Sequence, residues 1–214
     1  MKELYEQLDF KENLLFEKVI ADISETKYSI IDDFFTEEEV AVLRNSLLTK
    51  YEEEQFKKAA IGNRVNAQIE KAIRGDFILW INEDSHDVLE QRFFDKINEL
   101  ANYLNKTCFM GILYKEFHYA IYPEGTFYKR HLDTFKNDDR RKLSMVFYLN
   151  ENDWIPETDG GELVLYLSED GKEGTKTITP FPGRVVIFES QELEHEVKPV
   201  KRERLSITGW LKTR

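Results

Sequence analysis

Three side chains that bind transition metals stand out in the C-terminal half of the sequence. His131 and Asp133 lie two positions apart in the stretch YKRHLD, and alternate residues of a strand project to the same side of a sheet. His195 is the one histidine that follows them. Two imidazoles and one carboxylate form the facial set typical of non-haem Fe(II) sites, which leaves three of six coordination positions open. The sequence therefore predicts a metal site at His131, Asp133 and His195.

Polar residues on two predicted strands indicate what else this site would bind. Alternation places Arg204 and Thr208 on one face of the run 204–211, and it places Tyr148 on the mixed face of the run 143–149. An arginine or a tyrosine inside a barrel is costly without a partner. A planar guanidinium holds a carboxylate by a two-point contact. Together these residues predict a site for a dicarboxylate whose other end chelates the metal.

The elements that would position these residues change in character along the chain. Helices are expected over about 2–20, from the capping box of Thr36 and Glu39 to about Leu48, and over His86–Leu104, while the stretch IRGDFILWI begins as a loop and ends as a strand. Short β-prone runs separated by turn residues follow. They are Ile112–Tyr122, Phe127–His131, Leu143–Leu149, Glu162–Tyr166, Thr175–Ile178, Arg184–Phe188, His195–Val197 and Arg204–Leu211. This order predicts an α+β, mainly β fold, a sandwich or jelly roll with N-terminal helices on one sheet.

Composition limits the class of protein. The 214 residues suit one domain, with a helical part to about residue 105 and a β core from about 106 to 214. A net charge of −11 argues against a nucleic-acid partner. Cys108, the single cysteine, allows no internal disulfide and is expected to be a small buried apolar residue. The charged N-terminus has no signal-peptide pattern and no run is long enough to span a membrane, so we expect a cytoplasmic protein without a membrane partner.

The pattern His131-x-Asp133, His195 and Arg204 resembles that of the Fe(II)- and 2-oxoglutarate-dependent dioxygenases. Within them it is similar to the prolyl 4-hydroxylase branch, in particular the oxygen-sensing prolyl hydroxylases that act on hypoxia-inducible factor (HIF). The similarity extends from about Ile73 to Trp210. It includes the stretches IRGD, YPEGT, YKRHLD, FYLN, GGELVLY, HEVKP and RLSITGW.

The resemblance implies a double-stranded β-helix and a set of roles for named residues. His131, Asp133 and His195 would bind Fe(II), with 2-oxoglutarate and O2 at the open positions and ascorbate as the reductant that restores Fe(II). The distal carboxylate of 2-oxoglutarate would be held by Arg204 and Tyr148, with Tyr122, Thr208 and Leu163 nearby. Substrate-binding residues would be Arg74, Asp76, Arg141 and Trp210. The segment from about Ala59 to Asp76 would act as a lid, with Asp76 and Arg141 paired at the rim in the closed state. The implied reaction hydroxylates a prolyl residue of a protein and releases succinate and CO2.

Two alternatives stay open at this point. One is a dioxygenase that acts on a free amino acid or an alkylated base. The acidic balance counts against a base, and the IRGD stretch favours a prolyl peptide. The other is a metal-binding jelly roll without catalytic activity, although such sites usually carry more histidines near the first, and none lies between Asp133 and His195. His86 and His118 have no matching partner and are interpreted as structural.

Overall fold

The computed structural model describes residues 11–59, 73–134, 139–169 and 171–213. Its helices are α1 (Leu14–Thr26), α2 (Glu37–Glu52), α3 (Val88–Cys108) and the short α4 (Pro156–Asp159). Its strands are β1 (Tyr28–Ile31), β2 (Lys57–Lys58), β3 (Phe77–Ile81), β4 (Tyr114–Tyr122), β5 (Tyr128–His131), β6 (Arg141–Tyr148), β7 (Leu163–Glu169), β8 (Lys172–Ile178), β9 (Val185–Glu189), β10 (His195–Val197) and β11 (Arg204–Lys212). The first part of the helix expected over 2–20, and most of the segment expected to form a lid, lie outside the described residues.

The strands form two antiparallel sheets. The major sheet has the order β1-β9-β6-β11-β4-β3-β2, and the minor sheet has the order β5-β10-β7-β8. Each of the eight β-prone runs predicted from position 112 onward is a strand, with ends that agree within three residues. The two facing sheets confirm the expected double-stranded β-helix.

The outer face of the major sheet is covered by the helices, as the alternation of β6 and β11 predicts. Met145, Phe147 and Ile207 are buried in one cluster with Phe93 of α3 and Leu47 of α2. Each fully buried apolar side chain of this size contributes about 1.5–3 kcal/mol to folding. The face of β6 and β11 that carries mainly apolar residues therefore packs against the helices, and the other face turns to the minor sheet.

The opposite face of the major sheet looks toward the minor sheet. Val146 and Tyr148 of β6 share a buried cluster with Leu163 and Leu165 of β7. Polar side chains on this inner face, including Arg204, are enclosed between the two sheets, where Arg204 is 1% exposed. This enclosed space is where the predicted metal and carboxylate sites fall.

Local capping sets the helix ends. Thr36 and Glu39 form the predicted capping box, with Glu39 N donating to Thr36 Oγ1 at 3.2 Å and Thr36 N donating to Glu39 Oε2 at 2.7 Å. Asp87 caps α3 by accepting from the backbone N–H of Leu89 at 2.9 Å, so this helix begins two residues after the predicted start. The helix continues to Cys108, which is exposed rather than buried. In the described ranges, no helix is long and apolar enough to cross a membrane.

Candidate active site

The three predicted metal ligands meet because two strands of the minor sheet are neighbours. His131 ends β5 and His195 begins β10, and the two residues face each other in the strand register. Asp133 follows β5, and its Oδ1 lies 3.6 Å from His131 Nε2 while its Oδ2 lies 3.6 Å from His195 Nε2. The ligand atoms of all three lie within 4.8 Å of one another. This spacing fits one metal ion with three protein ligands and open coordination positions.

The backbone determines which nitrogen of each histidine is available. His131 Nδ1 lies 2.7 Å from the carbonyl oxygen of Lys129, and His195 Nδ1 lies 3.2 Å from that of Leu193. A carbonyl oxygen only accepts, so both Nδ1 atoms carry the proton and donate it. Each Nε2 then keeps a free lone pair toward the metal position. Burial lowers the pKa of His195 to about 4, and the Asp133 carboxylate offsets only part of that effect, so this imidazole is neutral at physiological pH.

The Asp133 carboxylate is kept ionised although it is buried. Burial by itself would raise its pKa, but His195 and His131 and a hydrogen bond from Ser144 hold the pKa of Asp133 well below its ordinary value. The Ser144 hydroxyl donates to Asp133 Oδ2 at 2.6 Å. The Arg141 guanidinium donates to the Asp133 backbone carbonyl at 2.8 Å. An ionised, oriented carboxylate is the form that binds a metal cation.

Arg204 forms a buried cationic end to the same space. Its guanidinium carbon lies 4.9 Å from the ring centres of Tyr122 and Tyr148. Its one hydrogen bond within the described chain is a long one, 3.5 Å from Nη1 to Ser206 Oγ, and its Nε has no partner there. The Tyr148 hydroxyl is also buried without a hydrogen-bond partner among the described residues. A buried guanidinium and phenol with unmet hydrogen-bonding capacity fit a carboxylate that a ligand would bring.

Gly161, the second glycine of the stretch GGELVLY, makes room for the Arg204 side chain. It adopts a φ of +71°, and a Cβ there would lie 2.9 Å from Arg204 Cδ. Both the backbone conformation and the close approach require glycine. Tyr122, Leu163 and Thr208 line the same cavity as Arg204. Tyr148 is outside that lining and lies against the Arg204 guanidinium.

The predicted rim pair is not the one that forms. Asp76 is engaged by Arg74, whose Nε and Nη2 donate to its two carboxylate oxygens at 2.7 and 2.5 Å. The two residues are i and i+2 at the entry to β3, so their side chains project to the same side. Arg141 instead lies with its guanidinium 3.4 Å from the ring centre of Trp210 and 3.7 Å from the carboxylate of Glu116. Asp76 and Arg141 are therefore not paired in this structure, and their pair remains a prediction for the closed state.

Aromatic residues that the sequence reasoning missed complete the cavity wall. Tyr128 stacks on His131 with ring centres 3.6 Å apart. Trp80 packs edge-on against His118 at 4.9 Å, and His118 lies 5.6 Å from Trp210. Burial lowers the pKa of His118 to about 3. Both His118 and Trp80 line the cavity. His118 lies four positions before Tyr122 on β4, so strand alternation places both side chains on the same face, and this pattern could have identified His118 as a cavity residue.

One cavity of about 220 Å³ joins these parts. Its wall includes Arg204, the three residues His131, Asp133 and His195, and also Arg74 and Trp210. Trp80, which is 48% exposed, marks its mouth. The arrangement can hold a metal ion, an anionic molecule that reaches from the metal to Arg204, and an apolar group that enters between the aromatic side chains.

Comparison with known proteins agrees with this geometry. The family model of the 2OG-Fe(II) oxygenase superfamily matches residues 117–212. A hypoxia-inducible factor prolyl hydroxylase of Caenorhabditis elegans is 42% identical over 93 residues, which are 42% of this chain and 12% of that relative. The similarity thus spans a small part of that longer protein.

Two solved structures are similar over nearly the whole chain. A prolyl 4-hydroxylase of Pseudomonas putida is 36% identical with a TM-score of 0.81, over 93% of this chain and 99% of that one. A prolyl hydroxylase of Trichoplax adhaerens, solved with a peptide fragment of the HIF oxygen degradation domain, is 26% identical with a TM-score of 0.82, over 93% and 89% of the two chains. The chain therefore belongs to the 2OG-Fe(II) oxygenase superfamily and is of the prolyl-hydroxylase type.

Proposed function

We propose that this chain is a single-domain Fe(II)- and 2-oxoglutarate-dependent dioxygenase that hydroxylates a prolyl residue of a protein substrate. The observation that carries this proposal is the shared cavity. His131, Asp133 and His195 line this cavity, and so does the Arg204 guanidinium, whose Nε has no hydrogen-bond partner among the described residues. A metal site alone would not need the second feature.

The chemistry divides between the bound groups and the chain. Iron, 2-oxoglutarate and O2 supply the oxidation when bound, converting 2-oxoglutarate to succinate and CO2 as one oxygen atom enters the substrate. The chain would hold the metal through the two Nε2 atoms and the Asp133 carboxylate. Arg204 and Tyr148 would orient the distal carboxylate of the cosubstrate, with Tyr122, Thr208 and Leu163 shaping its channel. The buried inner faces of the two sheets would exclude water from the reacting groups.

The mouth of the cavity suits a prolyl ring. A proline residue presents an apolar ring and has no backbone N–H to satisfy. Trp80 is 48% exposed and meets Trp210 with ring centres 6.3 Å apart, which offers aromatic surface for such a ring. Arg74, held by Asp76, and Arg141, held against Trp210, would contact the peptide on either side of that residue.

The relatives support a protein substrate. The Trichoplax structure contains a peptide of a HIF degradation domain, and the C. elegans relative carries the name of a HIF prolyl hydroxylase. A net charge of −11 disfavours nucleic acid as the partner. We also propose ascorbate as the reductant that maintains Fe(II), and the cytoplasm as the compartment, where an exposed thiol such as that of Cys108 stays reduced.

The test combines succinate formation with peptide mass spectrometry. Purified protein with Fe(II), 2-oxoglutarate and ascorbate is incubated with prolyl peptides and, separately, with cell extract, while the Asp133→Ala variant serves as the inactive control. We expect the gain of one oxygen atom on proline in the wild-type samples alone. Succinate formed without any modified proline would point to another substrate, and no succinate in any sample would contradict the oxygenase assignment.

A further inference from the structure

Two buried serines lie behind the metal-binding carboxylate. Ser144 is in β6 and Ser190 directly follows β9, and their hydroxyl oxygens are 2.9 Å apart. Ser144 is 1% exposed and Ser190 is fully buried. The strand register explains the meeting, because Ser144 lies opposite Phe188 in the β6–β9 pair and Ser190 is two residues further on the same face.

The chemistry of the groups sets the direction of this chain of hydrogen bonds. Ser144 Oγ lies 2.6 Å from Asp133 Oδ2, and an ionised carboxylate can only accept. The single hydroxyl proton of Ser144 is therefore committed to Asp133. Ser144 must then accept the proton that Ser190 donates. The order runs from Ser190 to Ser144 to Asp133, and each bond polarises the next.

This chain leaves the two oxygens of Asp133 in different situations. Each oxygen faces a histidine at 3.6 Å, Oδ1 the Nε2 of His131 and Oδ2 the Nε2 of His195. Oδ2 in addition accepts the hydrogen bond from Ser144. A carboxylate with both oxygens free can bind a metal through either or both of them. A hydrogen bond from a hydroxyl occupies one lone pair of Oδ2 and withdraws charge from it, which makes Oδ1 the better metal ligand.

We propose that Ser144 and Ser190 are positioning residues that orient Asp133 as a one-oxygen ligand. The remaining coordination positions are thereby kept for the cosubstrate and O2. The inference rests on the metal site of the proposed function, but it concerns metal binding and needs neither 2-oxoglutarate nor a peptide. Neither serine belongs to the ligand set or to the predicted cosubstrate site.

The experiment measures metal affinity of the full chain by anaerobic calorimetric titration with Fe(II) and with redox-inert Mn(II). Loss of a hydrogen bond to a metal ligand lowers metal affinity by about 10- to 100-fold, and this is the loss expected for Ser144→Ala. Ser190→Ala should lose less, because the Ser144–Asp133 bond remains. Ser144→Thr keeps the hydroxyl on a strand that favours β-branched residues, and it should recover most of the affinity.

A matched control is available at Ser29. This serine is 1% exposed and donates to Asp22 Oδ2 at 2.6 Å, so Ser29→Ala removes the same kind of bond far from the metal ligands in the chain and on another strand. Thermal unfolding of all variants reports the structural cost. We expect Ser29→Ala to lose stability but to bind Mn(II) as the wild type does.

The outcomes separate a positioning role from a structural one. Ser144→Ala with wild-type metal affinity would overturn the proposal, whatever its stability. If Ser144→Ala does not fold, Ser190→Ala decides: reduced affinity supports the proposal, and unchanged affinity refutes it. A wild type that binds metal through this serine-dependent site but never hydroxylates proline would overturn the proposed function and leave this inference standing.

Discussion

The replacement Arg204→Lys tests the cosubstrate site most directly. Arg204 is 1% exposed, flanked at 4.9 Å by the rings of Tyr122 and Tyr148, and bonded only weakly to Ser206 within the described chain. Lysine keeps the charge but offers a point donor in place of a planar fork. The change therefore removes one of the two contacts that a carboxylate would receive, without removing the attraction itself.

The expected magnitude follows from that loss. One hydrogen bond to a charged group is worth about 1.5–3 kcal/mol, which corresponds to about a ten- to hundredfold weaker affinity for 2-oxoglutarate. At a ligand concentration 100 times the wild-type Kd, binding stabilises the wild type by about 2.7 kcal/mol. The same concentration would stabilise the variant by about 0.4–1.4 kcal/mol.

The assay is thermal unfolding with Mn(II) in place of Fe(II), with and without 2-oxoglutarate, together with direct titration of the cosubstrate. A chain of this length shifts its Tm by about 2–4 °C per kcal/mol, so the two proteins are readily distinguished. Arg184→Lys is the matched control. Arg184 also holds a carboxylate by two contacts, 2.7 and 3.1 Å to Asp32, but it does not line the cavity.

We expect Arg184→Lys to keep the full cosubstrate-dependent shift. Equal 2-oxoglutarate affinities for Arg204→Lys and the wild type would refute the reasoning, because the guanidinium would then not be held for a ligand carboxylate. A loss of the same size in Arg184→Lys would show that the effect comes from general stability.

Three further outcomes are expected. His131→Ala and Asp133→Ala should abolish Fe(II)-dependent turnover and weaken metal binding while circular dichroism stays unchanged, and retained turnover in Asp133→Ala would contradict the ligand set. Arg74 and Asp76 form a pair with side chains 12% and 0% exposed, so Asp76→Ala should lose about 3–5 kcal/mol of unfolding free energy, measured by urea unfolding. The double variant Arg74→Ala/Asp76→Ala should lose less than the sum of the two single losses, whereas additive losses would argue against coupling. For Asp87, burial would raise the pKa but the hydrogen bond from Lys50 and backbone N–H groups leave it lowered. Its folded pKa is thus below the unfolded value of about 4, so its stabilisation is present above that value and is lost as pH falls through the lowered pKa. Asp87→Asn should therefore make the unfolding free energy fall less steeply at acid pH. The same acid dependence in the wild type and the variant would contradict this prediction.

Local patterns in the sequence were enough to predict most of the helices and strands and the faces that they bury. Alternation in a strand depends on residues two apart, and helix caps depend on residues three apart, so both are readable without tertiary information. The capping box at Thr36 and the buried outer face of β6 follow from such patterns. The set of His131, Asp133, His195 and Arg204 was also identifiable, because metal and carboxylate binding require those residue types.

What the tertiary structure decided is which distant residues meet. Ser190 lies 46 positions from Ser144, yet the β6–β9 register brings their hydroxyls to 2.9 Å. Arg74 and Arg141 border the same cavity, and only the structure shows that Arg74 is the one that binds Asp76. His118 had no partner visible in the sequence and faces the cavity between two tryptophans. Side-chain alternation follows from local backbone geometry, whereas cross-strand neighbours depend on register, which is set by the packing of the whole chain.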